Sequence, residues 1–431
     1  MIERIRLKNF KNFEEAELTV GPFSVLIGAN GVGKSNIREA FRFLKSLAHG
    51  YTITEAITGK WTEDGILEWR GIRGGKIEIG HKKIWEFELE VHFTIIIDGK
   101  ITKGTYLIGI LSHEGHYGPR TIVTRESLKY NDQMLFNSYK SDQSDARFLD
   151  IQLHYNDLII TERFSPDRSI LYQLFEGVGG FGSRWRYLAY KRGNIETSDM
   201  GFVIDSLWSC FYSMKFYDFN AASMRVPSQK GLTNLGENGE NLASLLQSIC
   251  DEPKQKNTLI QWLKELLMTE AKDFRFWEVS PGKVTFAIVQ EDDLQISAAS
   301  VSDGTLRFLV VIASFLSPSS PSLCFFEELE NGIYPSRLYL LLQLIEKRVS
   351  EGDLQVIATT HSPILLGLLS SKSLEYASLI YRLPEKSNSQ IKKILDMPDI
   401  KTLIEKQDII QLYASGWLED AIAFTETVET T

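Results

Sequence analysis

The sequence predicts an α/β fold. A lobe is split between the two ends of the chain, a β-rich and then helical lobe is inserted into it, and no long coiled coil is expected. Three observations lead there. Near the N-terminus the strand-like FSVLIG runs into GANGVGKS and then into a helical pattern with Ile37, Ala40, Phe41 and Leu44 on one face. After Val301, helix and strand patterns alternate. Between these ends, period-two stretches give way to helical ones, and none sustains three heptads.

The bulk properties suit such a molecule. A chain of 431 residues has room for two or three ordinary domains, or for one with a large insertion. It is 43% hydrophobic and 24% charged, as expected of a soluble globular protein. A net charge of −9 argues against a surface coated for nucleic acid, although an acidic protein can carry a local basic groove. Cys210, Cys250 and Cys324 show neither a disulfide framework nor zinc spacing, which points to a reducing cytoplasm. The N-terminal MIERIRLKNFKNF is charged and alternating, unlike a signal peptide. The longest apolar runs, LVVIASFL and LYLLLQLI, fall short of a membrane span, so no membrane partner is expected.

In chain order, strands are expected at Ile2–Phe10, Ala16–Val20 and Phe23–Gly28, followed by the helix after the glycine loop. Residues 50–80, rich in glycine and aromatics, read as an irregular excursion. IWEFELEVHFTIII (84–97) alternates strongly and should be a strand with one buried face. Further strands around 105–110, 121–124, 151–154 and 158–162 make an antiparallel lobe. The pattern from 165 to 270 is helical; LASLLQSI and NTLIQWLKELLM, separated by DEPKQKN, form a helical hairpin at most. Strand character returns at 283–290, followed by helix 304–316, strand 322–327, helix 335–349, strand 354–359 and helix 363–370. The expected organisation is therefore a core from 1–50 and 283–385, an insertion at 51–282 and a helical tail at 386–431 with a frayed end.

GANGVGKS fits G-x-x-x-x-G-K-[ST] in the required strand–loop–helix setting. Its glycines let backbone N–H groups turn inward around phosphate oxygens, and the helix N-terminus adds partial positive charge. Gly28, Asn30, Gly31, Gly33, Lys34, Ser35 and Asn36 are the candidate ATP contacts. Lys34 would reach the β- and γ-phosphates and Ser35 would hold Mg²⁺.

CFFEELENGIYP ends an apolar strand in two adjacent carboxylates, an arrangement that like-charge repulsion and desolvation oppose. A bound Mg²⁺–ATP resolves this, because strands of a parallel sheet direct their carboxyl ends to one crevice. Glu327 would then serve the metal and Glu328 would polarise the attacking water. LQVIATTHSP delivers His361 to a strand end, where it reads as a γ-phosphate sensor beside the other two motifs. In VSDGTLRFL, Ser302 or Asp303 is a good N-cap for an apolar helix; Ser302, Asp303, Gly304 and Thr305 are also candidates for contacting a nucleotide held by a second copy.

IRLKNFKNF, LIGANGVGKSN, VSDGTLRFL, FFEELENGIYP and TTHSP, in this order and around a long insertion, resemble the ABC-type ATPase heads of the RecF, SMC and Rad50 group. More closely, the chain looks like the stand-alone bacterial ATPases called AAA-21 or OLD-like. TRESLKY, FYDFNAASMRVP and NGENLASLL carry weaker likeness. The resemblance implies an ABC-type head, ATP with Mg²⁺, and ATP-driven pairing into a homodimer or a higher even-numbered assembly. Asn331 and Gly332 would lie at the seam. Two departures matter: Glu327 stands where many ABC heads carry Asp, and SDGT replaces the transporter-like SGGQ. Together with the large insertion, they disfavour a transporter subunit. No glutamine loop can be assigned; Gln152 is a poor candidate, and Glu126 in TRESL is expected near that lobe's contact point.

Other signals are discounted. GVGGFG (177–182) lacks the preceding strand and later acidic residue of a dinucleotide fingerprint. RWRYLAYKR (184–192) reads as a partly buried amphipathic helix rather than a nucleic-acid contact. RGIRGGK (70–76) is treated with the same caution, and His81, His92, His113 and His116, without metal spacing, are taken as surface or strand residues. LYASGWLED places Trp417 and Leu418 after a helix-ending glycine, either to dock a partner or to cover the core. The segment after TTHSP is too short for the nuclease domain of OLD-like proteins, so a nuclease or toxin would be a separate effector chain. The leading expectation is an ATPase switch in bacterial anti-phage defence, similar to ATPases paired with an effector in PARIS-like or Septu-like systems. The alternative is a RecF/SMC-like ATPase clamping DNA in repair or genome maintenance.

Overall fold

The structure is a computed structural model that describes every residue except 116–117, 140–146, 156–157, 177–182, 192–197, 268–270, 319–320, 384–385, 398–399, 401–402, 404–408 and 419–431. The GVGGFG segment thus lies outside the described residues. The chain forms two compact units. One comprises Met1–Gly21, Gly28–Met214 and Ser378–Lys393; the other comprises Pro22–Ile27, Lys215–Ala377 and Ile394–Thr431.

The first unit is built on an eight-stranded antiparallel sheet. Its order is Leu158–Phe164, Leu149–Tyr155, Gln133–Tyr139, Gly118–Tyr130, Lys100–Gly115, Glu86–Ile97, Ile2–Phe10 and Phe13–Thr19. Period-two patterning sets which face is buried: Phe87, Leu89, Val91 and Phe93 of Glu86–Ile97 all point to the core. Phe87 packs edge-on against Phe10 and Phe43, with centroids 5.4 and 5.5 Å apart. Phe43 belongs to the helix Lys34–Ala48, which buries Ile37, Ala40, Phe41 and Leu44 as the sequence predicts. Because Ile2–Phe10 pairs with both Phe13–Thr19 and Glu86–Ile97, the expected boundary at residue 50 does not coincide with a unit boundary. The stretch 50–80 contains a short helix, Ile53–Thr58, closed by a capping box between Thr52 and Glu55.

The second unit contains parallel strands in the order Lys215–Tyr217, Leu323–Phe326, Gln355–Thr360 and Phe23–Ile27. Every residue of the last three is buried, which is why they read as continuous apolar runs rather than alternating ones. Helix Pro335–Val349, starting at the expected residue, connects two of them and buries Leu341, Leu342 and Ile345. A small antiparallel sheet joins Ser228–Gln229, Lys283–Gln290, Ala271–Ser280 and Gln295–Ser297. Helices Leu242–Asp251 and Pro253–Leu267 form the expected pair. Lys215–Tyr217, inside the stretch read as helical, and Ala271–Ser280 were not expected as strands. The longest described helix has 16 residues, so there is no long coiled coil among the described residues. No described helix is long and apolar enough to cross a membrane, and none of the three cysteines is in a disulfide.

Three discounted segments are structural. In helix Arg184–Lys191, Trp185 and Leu188 are buried and Arg184 stacks over Phe164 at 4.1 Å, as an amphipathic helix should. His81 is buried, not superficial, and its Nδ1 lies 3.1 Å from the Lys11 carbonyl. Leu418 is fully buried.

Glu126 is wholly buried within the first unit. Its Oε1 accepts from Tyr106 Oη, Ser169 Oγ and Leu171 N, each at 2.9 Å, and its Oε2 accepts from Ile170 N at 2.7 Å. Burial raises its pKa to about 7, while these donors oppose the rise. Above the unfolded value, the folded chain holds a proton that the unfolded chain has released, so stability falls as pH rises. The loss should be roughly 3 kcal/mol, spread between the ordinary glutamate pKa and about 7. Chemical denaturation at several pH values should show this decline in the parent chain and a flatter profile in Glu126→Gln.

Candidate active site

In the first unit, the loop Gly28–Ser35 lies between the end of Phe23–Ile27 and the helix Lys34–Ala48. Gly31, at φ +80°, has open space where a side chain would stand, and Gly33 caps the helix at φ +118°. A β-carbon on Gly33 would come within 2.4 Å of the Asn12 amide, so only glycine fits there. Lys34 is buried, and its Nζ donates to the carbonyls of Gly28 at 2.5 Å and Ala29 at 2.9 Å. Its ammonium is thus held within the loop. Asn30 and Gly31 are exposed; Ser35 and Asn36 are half-buried in the first helical turn.

Asn12 braces this loop, a role the sequence reading did not give it. Its Nδ2 donates to Val32 O at 2.9 Å and to Ser389 Oγ at 2.5 Å, and its Oδ1 accepts from Asn36 Nδ2 at 2.7 Å. The available signal was KNFKNF, where Asn9 and Lys11 take left-handed φ of 52° and 56° and turn the chain toward the loop.

In the second unit, the acidic strand does not adjoin Phe23–Ile27, because Gln355–Thr360 lies between them. All three strands are parallel, with Phe326 opposite Ala358 and Ile27 opposite Thr360, so their carboxyl ends share one edge of the sheet. Glu327 continues the strand geometry by donating its N–H to Tyr217 O at 2.8 Å. Glu328 then adopts φ +46°, a left-handed conformation uncommon for a residue with a β-carbon. Thr359 holds it there: its Oγ1 accepts from Glu328 N at 3.0 Å and its carbonyl accepts from Leu329 N at 3.3 Å. The Glu328 carboxylate is half-exposed, 3.3 Å from Asn331 Nδ2 and 4.0 Å from His361 Nδ1. Glu328, His361, Glu330, Asn331 and the apolar Ile333 and Leu338 line a cavity of about 650 Å³.

SDGT opens helix Asp303–Leu316 with Ser302 as the N-cap, its Oγ accepting from Thr305 N at 3.2 Å. Arg225, within the weakly similar FYDFNAASMRVP, donates to Asp303 Oδ1 at 2.6 Å and to Val301 O at 2.7 Å, fixing the approach to this helix. Gly304 faces the carbonyl of Gly332, which would lie 2.4 Å from an added β-carbon. The signature helix and the loop after the acidic strand therefore touch within one chain.

The loop suits a phosphate ligand, with a glycine-built turn, a helix N-terminus and an ammonium inside it. No group of three His, Cys, Asp or Glu among the described residues could hold a metal by itself. Magnesium that arrives with a nucleotide needs few protein ligands. Gln152 lies mid-strand in Leu149–Tyr155, paired with Thr161 and Asn137.

Residues 1–170 match the family described as "AAA ATPase domain", and residues 190–367 match that described as "AAA domain, putative AbiEii toxin, Type IV TA system". The chain is 21% identical to "ATP/GTP phosphatase" of Helicobacter pylori (strain ATCC 700392 / 26695) over 86% of its own length and 87% of that protein. It is 28% identical to "DNA replication and repair protein RecF" of Arthrobacter sp. (strain FB24), where the match spans only 24% of each chain. Among solved structures, it is similar to an SMC head bound to the C-terminal winged-helix domain of ScpA. That match has a TM-score of 0.46 and 12% identity, over 91% of this chain and 96% of the other.

The Gly304–Gly332 approach yields a test. Gly304→Ala should lower stability by about 1–3 kcal/mol, the usual cost of overpacking against backbone. The readout is the denaturation midpoint; an unchanged midpoint would contradict the close approach.

Proposed function

We propose that the chain, an ATPase by its matches to AAA ATPase domains, is of the ABC-type RecF- and SMC-like group and works as a cytoplasmic switch: two copies pair head to head on ATP and regulate a separate effector protein. The observation that carries this reading is Glu328, held in a left-handed conformation by Thr359 with its carboxylate half-exposed beside His361. A costly conformation that presents a carboxylate at a shared strand edge suits activation of a water molecule.

In this reading, the N–H groups of Gly28–Ser35 bind the phosphates and Lys34 neutralises their charge. Asn30, Gly31, Gly33 and Asn36 shape the loop and its first helical turn. Ser35 and Glu327 would hold Mg²⁺, which when bound offsets charge on the phosphate oxygens. Glu328 takes the proton side of the water and His361 faces the terminal phosphate. Ser302, Asp303, Gly304 and Thr305 of one copy complete the site of the other.

The description of the family matched by residues 190–367 places that family with a putative AbiEii toxin and a type IV TA system; the anti-phage role and the separate effector nuclease or toxin are this reading's own proposals. The second reading, a DNA-clamping ATPase of repair, is supported by the short similarity to RecF. The readings separate on two measurements. Hydrolysis strongly stimulated by duplex DNA favours the clamp. Slow hydrolysis indifferent to DNA, with capture of a companion chain on coexpression, favours the switch.

Two substitution tests address the mechanism. Glu328→Gln should bind ATP with near-parental affinity, lose about 100-fold or more in kcat, and accumulate paired chains in light scattering; Lys34→Ala, the control, should not bind ATP. Parental turnover by Glu328→Gln would remove Glu328 from the water-activating role. Ser302→Arg should leave ATP binding by single chains intact and prevent pairing; normal ATP-dependent assembly would rule out the shared site.

A further inference from the structure

We infer that Glu330 is a positioning residue for hydrolysis: it fixes the end of the histidine strand, and with it His361, against the loop that carries Glu328. This rests on the reading of Glu328 and His361 given above. Glu330 Oε1 accepts from Thr360 Oγ1 at 2.7 Å and from the His361 backbone N–H at 3.3 Å. Thr360 is wholly buried, and its Oγ1 also accepts from Ser362 N at 2.9 Å. One carboxylate oxygen thereby anchors the backbone on the N-terminal side of His361, and Thr360 extends the anchorage to the residue after it.

The two loops are laced in both directions. The acidic loop donates Glu328 N and Leu329 N to Thr359, and the histidine loop donates Thr360 Oγ1 and His361 N to Glu330. Neither side chain of the Glu328–His361 pair is fixed by burial, since both are nearly half-exposed. Their separation of 4.0 Å is set by the backbones that the lacing aligns. The second oxygen of Glu330, Oε2, is buried and has no hydrogen-bond partner among the described residues. A buried acceptor without a donor opposes stability, so the carboxylate is better explained by the position it enforces than by the energy it contributes. The same turn carries Gly332, whose carbonyl packs on Gly304 at the start of the signature helix. The lacing therefore extends from His361 to the residues assigned to the other copy's nucleotide.

The test is steady-state ATP hydrolysis by the full chain as parent, Glu330→Ala, Glu330→Gln, His361→Ala and Glu330→Ala/His361→Ala, with thermal melting in parallel. Glu330→Ala should lower kcat by about tenfold or more with KM within about twofold, the split expected when only the reacting geometry is lost. Glu330→Gln, whose amide oxygen can still accept from Thr360 and His361, should stay within about threefold of the parent, showing that the acceptor rather than the charge is needed. The double variant should be no slower than His361→Ala, because residues acting as a unit are not additive. Parental kcat in Glu330→Ala, or losses that multiply in the double variant, would overturn the inference. If Glu330→Ala does not fold, Thr360→Val decides: reduced kcat at constant KM supports the lacing and parental kcat refutes it. Parental kcat in His361→Ala would instead sink the underlying reading of His361, a result distinguishable from failure at Glu330 alone.

Discussion

The parallel pairing of Leu323–Phe326 with Gln355–Thr360 is the constraint on which the geometry of the second unit's strand ends depends. Every residue of both strands is buried, so neither can slide without exposing a full apolar run. That register places Thr359 where its hydroxyl and carbonyl meet the N–H groups of Glu328 and Leu329. The left-handed turn at Glu328 follows from the pairing, and so does the approach of Glu328 to His361. The apolar core and the polar strand ends are thus one arrangement: hydrophobic burial supplies the energy that holds the left-handed backbone of Glu328 in place.

The first unit uses a different device. Its glycine loop is braced from outside by Asn12, a single amide that uses both its donor and acceptor ends. Asn12 sits at the turn between the first two strands of the antiparallel sheet, so the meander and the loop share a fixed point. The opening strands are thereby structural partners of the loop as well as members of the sheet.

Much of this was legible in the sequence because fixed spacing has few physical explanations. The strand–glycine loop–helix order, the paired glutamates after an apolar run and the N-cap at Ser302 each announce themselves locally. What was not legible depends on distant partners. Glu330 looks like an ordinary turn residue in LENG until Thr360 and His361 are found against it. Asn12 and Arg225 are likewise defined by residues far away in the chain. Lys215–Tyr217 is only three residues long, below the length at which periodicity can be read. Ala271–Ser280 buries only Ala271 and Phe274, so its pattern is blurred by exposed Trp277 and Val279.

The placement of Lys34 has a thermodynamic consequence. An ammonium on a mobile side chain would have to shed its hydration shell when an anion arrives, but here the Gly28 and Ala29 carbonyls already substitute for water. The dehydration of the cation is completed during folding rather than during ligand capture. In the proposed role of Lys34, that cost no longer has to be met when a phosphate is captured. Any nucleotide that the folded chain alone binds should protect it against unfolding in proportion to the logarithm of ligand concentration above its dissociation constant.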